Sequence, residues 1–155
     1  MDGKDLGDVV TGMISVDSFD AHALFDTGAS FSFVSENFVL CAGLPVQRLG
    51  HPIVVSSAKG FISSCSVCPS CSVVLADEIF LANLVVISLE SFDVILGMDL
   101  LAQNRAVISC FWKTVSLLAP SGKEVVFLGS SPKYTLSLLS QLLSDRWSRK
   151  SGILF

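Results

Sequence analysis

The strongest constraint on the fold is a single carboxylate, Asp26, set in the run Ala23-Leu24-Phe25-Asp26-Thr27-Gly28-Ala29-Ser30-Phe31-Ser32-Phe33-Val34. Apolar residues lead up to the acid and return at Phe31, Phe33 and Val34, and the Thr27-Gly28 pair behind it belongs to a tight, closely packed turn. An acid in an apolar frame is costly unless it is hydrogen-bonded or working, and perturbed acids of this kind cluster at functional sites. The chain must therefore bring an apolar strand to an abrupt end at an acid.

At 155 residues there is room for one ordinary domain, so machinery that needs two lobes has to come from two copies. Only 15% of the residues are charged, against about a quarter in soluble domains. A surface this short of charge implies either an obligate oligomer hiding an apolar face or a segment cut from a larger protein. The net charge is −4, and Lys and Arg are scattered apart from Arg146, Arg149 and Lys150, so no nucleic-acid partner is expected. Residues Met1 to Asp8 lack a basic stretch followed by an apolar core, and no apolar run approaches the roughly 18 residues of a membrane span. These features predict no membrane partner and an intracellular, cytoplasmic location. Five cysteines, an odd number, suit a reducing compartment.

Along the chain, Thr11–Val16 and Ala21–Phe25 read as a hairpin around Asp17-Ser18-Phe19-Asp20. Ser35 is placed to cap a short helix through Cys41, with Gly43 as its left-handed end and Pro45 as the stop. A second hairpin pairs Ile53-Val54-Val55 with Phe61-Ile62 around a tip of small residues, and a third turns at Asp77-Glu78. Val94-Ile95-Leu96-Gly97 reads as a buried strand followed by two helical turns over Met98 to Asn104. Ala106–Cys110, Thr114–Leu118 and Val125–Leu128 complete a mainly β domain over residues 9–130, after a linker at 1–8. Beyond it, Leu136, Leu139, Leu142 and Leu143 recur at helical spacing, so residues 131–155 read as a linker and an amphipathic helix over Tyr134 to Trp147.

Several chemistries find little support. Cys65, Cys68 and Cys71 form C-x-x-C-x-x-C, but His51, Cys41 and Cys110 offer no second knuckle for zinc. In a regular strand Cys65 and Cys71 would face one side and Cys68 the other, which favours buried filler over a metal site. His22 and His51 lie in no nucleophile context, there is no G-x-S-x-G, and the glycines build no phosphate-binding loop. No cofactor and no metal are expected.

Asp26-Thr27-Gly28-Ala29, following an apolar strand and answered about seventy residues later by Phe92-Asp93-Val94-Ile95-Leu96-Gly97-Met98-Asp99, resembles the retropepsin class of aspartic proteases. Val10-Thr11-Gly12-Met13, Ser18-Phe19-Asp20-Ala21 and Arg105-Ala106-Val107-Ile108 with Cys110-Phe111 extend the likeness to the protease domain of Gypsy-class LTR retrotransposon polyproteins. The resemblance implies an acid-protease fold, a closed β-barrel with a flap hairpin and one lobe per chain. It implies a homodimer acting on a polypeptide substrate, with Asp26 as the catalytic acid and Asp26 of a second copy as its mate. Two carboxylates held together share one proton, one activating a water and the other donating to the peptide carbonyl.

The same resemblance casts Thr27 as the residue whose hydroxyl bonds across the dimer and Gly28 as a close-approach backbone donor. Ala29 lacks the hydroxyl that some members place beside the dyad, which implies a weaker acid and a higher pH optimum. Ile53–Ile62 becomes the flap, with Ser57, Ala58, Lys59 and Gly60 at or near a tip that meets substrate together with Ala29. Gly97 packs beneath the active-site loop. Met98 stands where many viral members have arginine, Phe31 where they have an acid, and Leu100 where retrotransposon proteins often have tryptophan. Residues Tyr134 to Phe155 resemble a connector toward a reverse transcriptase. A catalytically inactive module for dimerisation or protein binding is the alternative reading.

Overall fold

In the computed structural model, the described residues are 9–57 and 60–130. The expected linker at 1–8, the helix over Tyr134 to Trp147, and Ala58 and Lys59 lie outside them. Strands β1 (Val10–Val16) and β2 (Phe19–Phe25) form the first hairpin. Its turn is tighter than the four residues expected: Asp17 and Ser18 take φ of 48° and 76°, and pairing resumes at Val16 with Phe19. Two successive positive φ values match the right-handed strand twist that two-residue hairpins favour.

Strand β3 (Ser32–Ser35) runs into helix α1 (Glu36–Ala42), where the Ser35 hydroxyl accepts from Phe38 N–H at 3.0 Å. Gly43 ends the helix at φ 65°, donating its N–H to Val39 O. Cap and stop both follow from residue type. The long strands β4 (Gln47–Ser57) and β5 (Gly60–Leu75) follow, then β6 (Glu78–Ile87), β7 (Val94–Leu96) and helix α2 (Met98–Gln103). Strands β8 (Val107–Ser109), β9 (Thr114–Leu118) and β10 (Glu124–Leu128) make a separate three-stranded sheet.

The main sheet has the order β1-β2-β7-β3-β6-β5-β4. Strand β7 is inserted between β2, with which it runs parallel, and β3, with which it runs antiparallel. The expected barrel takes the form of a curled sheet: β5 returns to β1 through Ser15–Val74 and Val16–Val73. Inside the curl, Phe25, Val34, Phe80, Leu84, Leu96 and Leu101 are buried in one cluster. The small sheet joins this core through Phe127, whose ring lies 5.1 Å from that of Phe25.

The cysteine motif departs from strict strand alternation. The β5–β6 register shifts between Cys68 and Cys71, and Ser70 sits there at φ 51° with its N–H bonded to Asn83 Oδ1. An extra residue in one strand reverses its facing, so Cys68 and Cys71 both turn into the core while Cys65 stays half-buried. Burial raises the Cys68 thiol, helped by the Asp17 charge. Cys71 is pushed up to about 12, by desolvation first, then by Asp17 and Cys68. Among the described residues no three metal-ligating side chains come together.

Candidate active site

Asp26 follows the last residue of β2, and its N–H donates to Leu96 O at 2.9 Å, the end of the neighbouring β7. The strand pairs Leu24–Ile95 and Phe25–Leu96 carry the chain to this point. Phe25 and Leu96 are buried behind the acid, Asp26 itself is half-buried, and Thr27 and Gly28 are exposed in front. Its Oδ1 accepts from Gly28 N–H at 2.9 Å and its carbonyl from Ala29 N–H at 3.2 Å. A Cβ on Gly28 would stand 3.2 Å from that same oxygen. Glycine therefore lets the backbone donor approach the carboxylate without crowding it.

The loop rests on the turn between β7 and α2. A Cβ on Gly97 would lie 2.7 Å from Ala29 O and nearer still to Phe31 O. Met98 N–H donates to Ala29 O at 2.8 Å and Asp99 N–H to Ser30 O at 3.2 Å. Ser32, fully buried, donates its hydroxyl to Asp99 Oδ1 at 2.6 Å and accepts from Gly97 N–H at 3.0 Å. Sequence reasoning did not single out Ser32 or Asp99. The available signal was weak: an acid in the first turn after a glycine, a common helix-start pattern.

The β4–β5 hairpin presents alternating faces. Ile53, Val55 and Ile62 pack on a second apolar cluster built from Phe33, Val85 and Ile87, which Ala29, Leu89 and Ile95 also join. Val54 and Phe61 point outward and are 57% and 80% exposed, which settles which face meets the body of the domain. The hairpin is longer than the sequence suggested, because a register shift between Arg48 and Ile53 absorbs Gly50 and Pro52 without ending the strand. Of the expected substrate-contacting residues, Ala29 lies in this second cluster. Ser57 pairs with Gly60 as the last rung of the hairpin, and Gly60 takes φ 115°. Ala58 and Lys59 fall outside the described residues. Phe31 and Met98 are both exposed beside the loop.

This arrangement, an acid at a strand end with a Gly-backed loop beside a β-hairpin, is that of the aspartic protease fold. The sequence model of the family described as retroviral aspartyl protease matches residues 2–123, and the chain belongs to that family. Among solved structures, the retroviral protease-like domain of Ddi1 from Leishmania major is similar, with a TM-score of 0.62 and 17% identity over 82% of this chain and 98% of that one. EIAV protease complexed with the inhibitor HBY-793 is similar with a TM-score of 0.51 and 16% identity over 60% of this chain and 85% of that one. At these identities the likeness concerns the fold. No curated protein matches the sequence.

Proposed function

We propose that the chain is an aspartic endopeptidase that works as a homodimer, each copy supplying one Asp26, and that it processes a polyprotein of the Gypsy retrotransposon type. The observation that carries this reading is the setting of Asp26: a carboxylate oriented by Gly28 N–H, backed by buried Phe25 and Leu96, and flanked in front by exposed Thr27 and Gly28. The sequence holds a single Asp-Thr-Gly, so the second carboxylate comes from another copy. Two such acids sharing one proton activate a water with one carboxylate while the other protonates the peptide carbonyl. The apolar cluster under the hairpin favours peptide bonds flanked by apolar side chains, and the hairpin excludes water when it closes over them. Membership of an aspartic protease family supports the chemistry.

The test is cleavage of apolar-flanked peptides between about pH 4 and 7 by the protein and by its Asp26→Ala variant, combined with sedimentation. Turnover that a statine-type inhibitor blocks and that Asp26→Ala abolishes is expected, from a species of dimer mass. Cleavage retained by Asp26→Ala overturns the reading, and a dimer with no turnover leaves the inactive module in its place.

A further inference from the structure

The geometry points to Asp99 as a positioning residue for Asp26, acting through Ser32, an inference that rests on the proteolytic reading above. The stretch between Asp26 and Ser32 has no regular structure, so its shape follows from what it is bonded to. Near the acid those bonds are backbone: Asp26 N–H to Leu96 O, Met98 N–H to Ala29 O and Asp99 N–H to Ser30 O. At the far end they depend on one carboxylate. Asp99 Oδ1 takes the Ser32 hydroxyl at 2.6 Å and Leu100 N–H at 2.8 Å, while Oδ2 takes Ser32 N–H at 3.2 Å. The Ser32 oxygen in turn accepts from Gly97 N–H, so a buried hydroxyl is locked by a donor on one side and an acceptor on the other.

Hydrogen bonds to a charged acceptor are among the stronger ones. Asp99 is exposed, so in its absence only water, which holds no fixed position, is left to accept from the buried Ser32 N–H and O–H. Ser32 also pairs with Leu84 in the sheet and cannot move far. The slack therefore passes into the residues between Ser32 and Asp26, toward the acid. Chemistry that depends on two carboxylates and a water in register is sensitive to displacements of about 1 Å. Asp99 bonds to Ser32 and Leu100, so it places the acid at one remove.

The experiment measures kcat and KM per active site, counted by titration with a tight-binding statine-type inhibitor, for Asp99→Ala, Ser32→Ala, Asp99→Asn and the Ser32→Ala/Asp99→Ala double variant. Both alanine variants are expected to lose about tenfold or more in kcat with KM within about twofold of the parent. Asp99→Asn should recover only part of that loss, because its amide oxygen still accepts from the Ser32 hydroxyl while its NH2 faces the Ser32 N–H that Oδ2 accepted, and Ser32→Ala stands in if Asp99→Ala does not fold. The double variant should be no worse than the poorer single one. Unchanged kcat per counted site, or multiplying losses in the double variant, overturns the inference. If the parent protein itself cleaves nothing, the proteolytic reading fails separately, and amide hydrogen exchange decides. Faster exchange in Ser32→Ala confined to Asp26–Ser32 and Gly97–Leu100 upholds the latch, and unchanged protection there ends it.

Discussion

Gly97 lies directly beneath Ala29: a Cβ on Gly97 would stand 2.7 Å from the Ala29 carbonyl oxygen, closer than real Cβ atoms come to their neighbours. Backbone torsion is not what requires glycine here, since Gly97 sits at φ −104°. The requirement is steric, and it couples the turn before α2 to the loop that carries Asp26.

Gly97→Ala is therefore expected to lower stability by about 1–3 kcal/mol, the usual range for overpacking, and to displace the Asp26 loop. Denaturant unfolding gives the first quantity, and peptide cleavage at matched folded fraction gives the second. A variant as stable and active as the parent would mean that the loop lifts off Gly97 freely.

Much of this was legible in the sequence. Ser35 and Gly43 announced both ends of α1, because a cap hydroxyl and a left-handed glycine are local devices. The apolar runs Ala23–Phe25 and Val94–Leu96 pointed to the strands that frame Asp26, although only the family resemblance suggested that they come together. Other features were hidden because they depend on partners distant in sequence. The bulge at Ser70 reverses the facing of Cys71, and its bond to Asn83 is formed across strands. The Ser32–Asp99 pair spans a gap that no local spacing rule covers.

Ser35→Ala removes the acceptor that holds Phe38 N–H at 3.0 Å. A loss of about 1 kcal/mol is expected, typical of an N-cap serine, seen as a lower denaturant midpoint with an unchanged slope. No shift in the midpoint would show that water replaces the cap in full.

The two faces of the β4–β5 hairpin should respond differently. Phe61, 80% exposed, faces outward, so Phe61→Ser should change stability by no more than about 0.5 kcal/mol. Val55 belongs to the apolar cluster under the hairpin, and Val55→Ala should lower stability and weaken the binding of apolar-flanked peptides. Thermal unfolding and KM measured on the two variants check the contrast, and equal effects would contradict the assignment of faces.

The buried thiols set an alkaline limit to stability. Cys71, ordinarily titrating at 9.0, is pushed up to about 12 in the folded chain, chiefly by desolvation. Its proton is held more tightly folded than unfolded, so the contribution is complete below pH 9 and is lost as pH rises from there through the folded value. Unfolding free energy should thus fall above about pH 9, and fall less steeply in Cys71→Ala, compared at each pH with the parent. Labelling gives an independent reading. At pH 8 the exposed Cys41 and Cys110 should react with a thiol reagent within minutes, while Cys68 and Cys71 wait for unfolding. Fast labelling of all five cysteines in the folded protein would show that the bulge does not bury its two thiols.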